Sequence, residues 1–459
     1  MLVIFSDIHL TDESTAINVN PEAFTKILQK EIELCAAKNE AKEISIILNG
    51  DIFDFVRTDY WLKINKSERP WNGSLDNKTA MNSNSAEMDI HYGRILDDIM
   101  LTGSGKAFIS MLNSLCKKFS SKIPFRIIYI IGNHDRILNT SLNLKSKITG
   151  YLSSCNDSSV TFTNEYLNEP EYSVLCRHGH EWDSANYGYE LFKYINNADD
   201  YIARFHRDIY KLQTIGEVIT SELMSGIIWR VGKSISDKNF ITSLKDLNNI
   251  RPVSDTFLWL YWYGVTVSSK NKKILLNAFR DSLREMLNTD LAKLWDNIKP
   301  ELWLFKGDIT DRFQQMLSLT EDLNFDSINK YVEIFKLFDK IFGSNRDEFS
   351  EGALREFNDK YIKKKDLQYI IYGHTHEAKQ DYFSGNKDGN VKMYINSGTF
   401  LPYIQKTNDK KSFASAYQMT MIFIYRRDED MDNKIPNKYP TMELWNGIKR
   451  KKYADPSKS

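Results

Sequence analysis

The histidines of this chain are few and grouped, which makes their surroundings the first candidates for chemistry. Six of the eight histidines stand in short segments with aspartate, asparagine or glycine, and one further segment of this kind carries two aspartates. In chain order these segments are Asp7-Ile8-His9, Gly50-Asp51-Ile52-Phe53-Asp54, Gly132-Asn133-His134-Asp135, His178-Gly179-His180 and Gly373-His374-Thr375-His376. Imidazole and carboxylate ligands together suit Mn, Fe, Zn or Ni, whereas Ca and Mg prefer oxygen ligands alone. The segments therefore predict a transition-metal site, and the isolated His91 and His206 are predicted to serve packing or the surface.

Each segment follows a short apolar run that predicts a β-strand. Helical patterns at 24–34 and 95–119 separate the first three runs, and the runs themselves are 2–5, 44–48, 125–131, 172–176 and 367–372. Continuous apolar strands that alternate with helices indicate sheets covered on both faces. Because the loops just after the strands carry the ligands in such sheets, we expect the polar segments to meet at one edge.

In this order, DxH, GDxxD, GNHD, a solitary histidine and GHxH resemble the motifs of the calcineurin-like metallophosphoesterase superfamily. The resemblance covers residues 1–183 and 367–425. It implies an α/β fold in which two packed mixed β-sheets are flanked by helices, here with a large all-helical insertion. It also implies a metal-dependent phosphoric ester hydrolase with two divalent transition-metal ions, Mn above all, with Fe, Zn or Ni as alternatives. The implied ligands are Asp7, His9 and His376 for the first ion, Asp51 as the bridge, and Asn133, His178 and His374 for the second.

The same resemblance implies roles for the residues next to these ligands. His134 assists the leaving group as general acid or electrostatic stabiliser, and Asp54 orients its imidazole. Asp135 is expected to cap the turn that follows it. The further candidates for orienting ligands are His180 and Asp183, for which a surface loop is the alternative, and Asn396 in the turn after GHxH.

The implied reaction is hydrolysis of phosphate esters, most of all phosphodiesters, by in-line attack of a metal-bridging hydroxide. The histidine after Asn133 is similar to that of the phosphodiesterase and DNA-repair exonuclease branches. A nuclease that acts on DNA or RNA with a partner protein is the alternative within enzymes. A metal-bound or inactive interaction module is the alternative of another class.

Composition places further limits on the class of protein. Lys+Arg and Asp+Glu are both 61, so the net charge of zero excludes a generic polyanion binder but leaves room for a local basic patch. Cys35, Cys116, Cys155 and Cys176 form no CxxC spacing, which predicts free thiols in a reducing compartment. A secretory signal and a bilayer-length apolar run are both absent, so we expect a cytoplasmic protein without a membrane span.

Hydrophobic patterns and composition divide the chain into four predicted parts. A metallophosphoesterase core spans 1–183 and 367–430, and a helical insertion occupies 184–366. The insertion is interpreted as a cap or a platform for a protein partner, with an oligomerisation element as the alternative. Residues 60–89 are predicted to form a long surface loop, and the extension 431–459 to end in a mobile basic tail.

Overall fold

The computed structural model shows an α/β protein in which the predicted strands assemble into two sheets. It describes residues 1–72, 86–155, 159–196, 203–265, 268–298, 309–321, 334, 336–337, 348–359, 366–387, 390–409, 412–431 and 434–451. The strands in these residues are β1 (Leu2–Phe5), β2 (Ile44–Asn49), β3 (Phe125–Ile130), β4 (Val160–Thr163), β5 (Tyr166–Asn168), β6 (Val174–Cys176), β7 (Tyr369–Tyr372), β8 (Lys379–Gly385), β9 (Val391–Asn396), β10 (Pro402–Lys406), β11 (Phe413–Tyr425) and β12 (Thr441–Lys451).

Both sheets are mixed. The first has the order β10-β11-β1-β2-β3-β4, and β12 pairs with β11 as well. Its β1, β2, β3 and β4 run parallel, and its β10, β11 and β12 pair antiparallel. The second has the order β5-β6-β7-β9-β8, with a parallel centre and antiparallel edges. The predicted fold class, two mixed sheets with flanking helices, is confirmed.

Side-chain alternation along the central strands explains why they are apolar throughout. On β1, Leu2 and Ile4 pack between the two sheets with Ile371 and Ile395 of the second sheet. Val3 and its alternate neighbours point the other way, into a cluster formed with the helices. Successive residues of a strand face opposite sides, so a strand covered on both sides needs apolar residues at every position.

Helices cover the first sheet and form most of the insertion. The α-helices and π-helical turns are Ala23–Leu28, Gln29–Lys38, Tyr60–Lys63, Ala86–Leu101, Gly103–Phe119, Leu142–Tyr151, Tyr189–Ile195, Ile215–Val218, Ile219–Ser225, Gly226–Ser234, Lys238–Leu244, Thr256–Val265, Ser269–Leu287, Asp290–Asp296, Ile309–Glu321 and Glu348–Asn358. Short 3₁₀ turns are Lys66–Glu68, Arg136–Asn139, His180–Trp182, Ile209–Lys211, Lys245–Asn249 and Val253–Asp255.

The helical insertion shares one buried apolar cluster with the helices of the first sheet. Val3 and Phe108 belong to the same cluster as Leu223, Leu283 and Phe313 of the insertion. Burying such side chains stabilises the fold by about 1.5–3 kcal/mol each. This apolar core continues across residue 184. The domain boundaries predicted at residues 184 and 366 therefore stay predictions.

The segment 60–89 is not a simple surface loop in its described part. Trp61 and Trp71 are buried, and a short helix starts at Tyr60. The indole of Trp71 donates to Glu222 Oε1 at 2.7 Å, and Arg69 forms an ion pair with the same carboxylate. Contacts with the insertion thus order a stretch whose polar composition favoured a loop. Residues 73–85 lie outside the described residues.

The predicted mobile basic tail is wrong for residues up to 451. Strand β12 pairs along its whole length with β11, from Tyr425↔Thr441 to Ser415↔Lys451. An antiparallel partner of thirteen residues provides the backbone hydrogen bonds that a basic segment lacks in isolation. Residues 452–459 lie outside the described residues.

The cysteines also depart from expectation. Cys116 and Cys155 form a disulfide with a Cα–Cα distance of 5.6 Å, whereas Cys35 and Cys176 are free and buried. The prediction of four free thiols is therefore wrong for one pair, since a separation of 39 residues in sequence gives no sign of proximity. Within the described residues, none of the helices combines the length and the apolar character that crossing a membrane requires.

Candidate metal centre

The five polar segments meet where the strands of the two sheets end. Within the first sheet, the backbone NH of His9 donates to the carbonyl of Asp51 at 3.0 Å. Within the second, Gly373 donates to the carbonyl of His178 at 2.8 Å. The backbone NH of His374 joins the two sheets by donating to Asp7 Oδ2 at 3.0 Å. The edge predicted from the strand pattern therefore exists, and it is built from both sheets.

Backbone strain is concentrated at this edge. Ten non-glycine residues of the described chain have a positive φ, and half of them are predicted ligands: Asp7, His9, Asp51, His374 and His376. Their φ values lie between 47° and 69°. Such conformations cost on the order of 1–3 kcal/mol each and cluster at functional sites. The fold thus sacrifices stability here to direct these side chains inward.

Asp7, His9 and His376 make up the first ligand group. The Nε2 atoms of the two histidines are 2.9 Å apart, and Asp7 Oδ1 lies 3.3 Å from Nε2 of His376 and 3.7 Å from Nε2 of His9. Oδ1 of Asp7 is buried and has no hydrogen-bond partner among the described residues. Burial opposes the charge of Asp7, yet its contacts with the two histidines hold its pKa well below the usual range. An anionic oxygen without a donor, beside two imidazole nitrogens, suits a cation.

Asn133, His178 and His374, together with Asp51, make up the second ligand group. Asn133 Oδ1 lies 3.1 Å from His178 Nε2 and 3.0 Å from His374 Nδ1. Asp51 Oδ2 lies 3.2 Å from His178 Nε2. Asp51, His178 and His374 offer ligand atoms that all lie within 4.8 Å of one another. Two imidazoles, a carboxylate and an amide oxygen could therefore hold a metal ion.

Asp51 stands between the two groups. Its Oδ2 is 3.7 Å from His9 Nε2 of the first group, in addition to its contact with His178 of the second. Its Oδ1 accepts from the backbone NH of His134 at 2.8 Å. Burial opposes its ionisation, but the neighbouring imidazoles, His178 above all, hold its pKa well below the usual range. One oxygen that faces both groups is the arrangement a bridging ligand requires.

The glycine of GNHD is needed because Asp51 occupies the space beside it. A Cβ at Gly132 would lie 2.2 Å from Asp51 Oδ1 and 2.6 Å from its backbone nitrogen. Both distances are far below van der Waals contact, and the backbone of Asp51 cannot yield as a flexible side chain would. Gly132 thus allows the GNHD loop to approach the bridging carboxylate.

Hydrogen-bond acceptors and amides fix the outer side of the second group. His178 Nδ1 lies 2.9 Å from the carbonyl of Asn49, and His374 Nε2 lies 3.0 Å from Asp183 Oδ2. Asn133 donates through Nδ2 to Asn186 at 3.3 Å, which leaves its Oδ1 facing the histidines. Partners of this kind orient metal ligands and set the imidazole tautomer. The role predicted for Asp183 agrees with this position, and Asn186 is a supporting residue that the sequence did not reveal.

His180 and Asn396 support the same loops in other ways. His180 is 3% exposed, and its ring packs 5.4 Å from that of His178, so the surface-loop alternative is wrong for it. It contacts the ligands through ring packing alone. Asn396 donates through Nδ2 to the carbonyl of Gly373 at 2.6 Å, which holds the GHxH loop in place.

In the first group, one of the ring nitrogens that point away from the ligand atoms contacts a positively charged side chain. His9 Nδ1 lies 2.8 Å from Asp54 Oδ2, as expected for a supported ligand. His376 Nδ1, however, accepts from Arg251 Nη2 at 2.6 Å. A neutral imidazole that accepts at Nδ1 carries its proton on Nε2. To coordinate a cation through Nε2, His376 must therefore lose its contact with Arg251.

His134 and Asp54 form the pair that the sequence predicted. His134 Nδ1 lies 3.0 Å from Asp54 Oδ2, the oxygen that also faces His9. Burial lowers the pKa of His134, but the charges of Asp54 and Asp51 outweigh burial and raise it above the ordinary value. The environment therefore favours an imidazolium, which has a proton to donate. Asp54 Oδ1 accepts from the backbone of Val56 and Arg57, so its carboxylate is fixed.

Asp135 does not cap the turn that follows it. Its side chain instead accepts from the backbone NH of Gly132 and of Ile52, and from Tyr129 Oη. Burial and the charge of Asp51 raise the pKa of Asp135 to about 7. The residue ties the GNHD loop to the GDxxD loop, so the capping prediction is wrong and its role is structural.

A cavity of 1040 Å³ opens onto the candidate centre. The core contributes Asp51, Asn133, His134, His374 and His376 to its wall. The insertion contributes much of the opposite wall, including Asn186, Arg251, Arg312 and Phe349. A volume of this order is ample for a small organic ligand. The insertion therefore lies beside the centre.

Comparison with known proteins adds no further identification: neither a family model nor a curated protein matches this chain. What the structure itself establishes is a two-sheet α/β fold with buried His/Asp groups that could hold metal ions.

Proposed function

We propose that this chain is a two-metal-dependent phosphoesterase that hydrolyses phosphate esters, above all phosphodiesters. One observation carries the proposal: two groups of ligand atoms meet at Asp51, and a further imidazole outside both groups, that of His134, stands beside them at the cavity. Bound there, two divalent cations would polarise the phosphoryl group and lower the pKa of the attacking water. A structural metal site needs neither the adjacent imidazolium nor the cavity.

The side chains around the ligands have separate tasks in this proposal. The protonated His134 donates to the oxygen that leaves, and Asp54 holds its ring through Nδ1 so that Nε2 is available. Asp54 also orients His9, so one carboxylate couples a ligand to the proton donor. The wall supplied by the insertion excludes bulk water from the substrate.

The test is hydrolysis of bis(p-nitrophenyl) phosphate, of a phosphomonoester and of single-stranded DNA by protein loaded with Mn²⁺. We expect the diester to be hydrolysed fastest. Hydrolysis confined to single-stranded DNA would favour the nuclease alternative. No hydrolysis of any of them by protein that holds two ions would favour an interaction module.

His134→Gln separates proton donation from metal binding. We expect the metal content to stay near two ions while kcat falls on the order of 10²–10⁴-fold, the usual contribution of a positioned proton-transfer group. The loss should be smaller for a nitrophenolate leaving group, which needs no proton. His206→Gln, at a half-exposed histidine of the insertion, is the matched control and should change neither quantity. Loss of metal from the His134 variant would make His134 a ligand and contradict its assignment.

A further inference from the structure

Two arginines, one buried and one half-buried, stand at the cavity wall beside the first ligand group. Arg57, three residues after Asp54, is 4% exposed, and Arg251 belongs to the insertion. Both line the cavity, and Nη1 of Arg57 has no hydrogen-bond partner among the described residues. A buried guanidinium nitrogen without an acceptor is costly. A polar atom of this kind at a cavity wall indicates that something else satisfies it.

The positive charge of this pair is poorly balanced. Arg57 Nε lies 3.3 Å from Asp54 Oδ2, but that oxygen also serves His9 and His134. The guanidinium of Arg251 is held by the carbonyls of Asn248 and Ile250 and by His376, and no carboxylate forms an ion pair with it in the described part of the chain. Asp54, which pairs with Arg57, is therefore already engaged by two histidines, and Arg251 has no ion-pair partner among the described residues.

The pair is placed too far out to serve the reacting phosphoryl group itself. Arg251 contacts Nδ1 of His376, and Arg57 contacts the carboxylate that faces Nδ1 of His9. The ligand atoms of these histidines are the Nε2 atoms on the opposite side of each ring. The two guanidinium groups thus lie on the Nδ1 side of these histidines and not beside their ligand atoms.

We propose that Arg57 and Arg251 form a subsite for a second phosphoryl group, next to the ester that is hydrolysed. This rests on the proposed phosphoesterase function and narrows its substrate class to phosphodiesters that carry a further phosphate. Guanidinium forks match phosphate oxygens in geometry and charge. The insertion then selects substrate through a residue of its own.

The experiment compares three substrates that differ only in this phosphate. Thymidylyl-thymidine is hydrolysed with and without a terminal phosphate, placed at either the 5′ or the 3′ end, by the full chain loaded with Mn²⁺. We expect kcat/KM to be higher for one of the phosphorylated forms. Arg57→Gln and Arg251→Gln should each reduce that preference about 10- to 100-fold. Arg284→Gln, at an exposed arginine of the insertion paired with Asp281, should keep it.

Arg251→Lys guards against a variant that fails to fold. A lysine keeps the charge but not the fork, so it should retain part of the preference that glutamine removes. If the unaltered chain hydrolyses diesters, then a preference that it lacks, or one that is unchanged in Arg251→Gln and Arg251→Lys, overturns the subsite.

Binding of inorganic phosphate to the full chain, measured by calorimetry with and without Mn²⁺, distinguishes the two proposals. If the unaltered chain hydrolyses no ester but binds phosphate, and Arg251→Gln weakens that binding about tenfold or more, the subsite stands and the phosphoesterase fails. If diesters are hydrolysed while phosphate binding without Mn²⁺ does not depend on either arginine, the phosphoesterase stands and the subsite is overturned.

Discussion

The two ligand groups use the same kinds of atoms but differ in the partners of their histidines. These partners contact the ring nitrogen that is not a ligand atom. Behind the second group are the carbonyl of Asn49 and the carboxylate of Asp183, both of which accept from an imidazole. Behind the first group, Asp54 accepts from His9, but Arg251 donates to His376. If the two groups hold cations as we propose, the second is therefore arranged for one in advance, whereas the first requires Arg251 to move away from His376.

Similar sets of ligand atoms therefore need not bind metal ions with equal affinity. An acceptor at the outer nitrogen places the proton there and leaves the inner nitrogen free to coordinate. A donor at the outer nitrogen has the opposite effect. We therefore expect metal titration to show two steps, with the second group filled before the first.

Asp51→Asn is the substitution with the largest expected effect, because Asp51 is the part that both groups share. We expect both ions to be lost and activity to fall by about 10³-fold or more, since one carboxylate charge holds two dications together. Elemental analysis and hydrolysis of a nitrophenyl diester measure the two effects. Retention of one ion would show that Asp51 serves a single group, and the groups would then be independent.

Gly132→Ala disturbs the carboxylate of Asp51 by a steric clash. The added Cβ must displace Asp51, so we expect the affinity for both ions to fall on the order of 10²-fold while the fold survives. Gly150→Ala is the matched control, because nothing lies within 4 Å of a Cβ there. Replacing this helical glycine should leave metal binding unchanged and raise stability by up to about 1 kcal/mol. Equal metal affinities of the two variants would contradict the close approach of the GNHD loop.

Asp183→Asn tests the support behind the second group. The substitution weakens the acceptor that orients His374, and outer partners of ligands are worth about 10- to 100-fold in metal affinity. We expect the tighter step of the titration to weaken by this factor while the weaker step stays. Asp208→Asn, at an acidic residue of the insertion paired with Lys211, is a control that should change neither step. A uniform weakening of both steps would remove the distinction between the groups.

Arg251→Met has the smallest expected effect and the opposite sign. Without the guanidinium, Nδ1 of His376 can keep its proton and Nε2 can coordinate, so the weaker step should strengthen by about 10-fold. The same titration measures it. A weaker step that is unaffected by Arg251→Met, or further weakened by it, would show that Arg251 does not oppose metal binding at the first group.

Much of the fold and of the centre could be predicted because the relevant signals are local. Apolar runs in the sequence predict the strands, and Asp7, Asp51 and Asn133 each follow a strand within two or three residues. Because these strands were predicted to share a sheet, the three residues could be placed at a common edge. The pairing of His134 with Asp54 was also predicted, in that case from the resemblance of the GDxxD and GNHD segments to known motifs. Their geometry agrees with the prediction, whereas their chemical roles stay predictions.

Contacts between distant segments could not be predicted in the same way. The disulfide between Cys116 and Cys155 and the pairing of β12 with β11 depend on which elements lie side by side. Composition even favoured the wrong answer for 60–72 and for the basic C-terminal strand, since both segments are polar. Propensity is a weak signal that tertiary pairing overrides.

The sequence defines the chemical character of the centre, because metal binding depends on the types of side chain and these occur in short segments at strand ends. The residues that contact these side chains from outside depend on the tertiary structure. Arg251 lies 125 residues from His376, and Asn186 lies 53 residues from Asn133. Which charge or amide stands behind a ligand depends on how the insertion packs against the sheets, through one shared apolar core. Apolar packing sets the position of such residues without leaving any spacing in the sequence that reveals it.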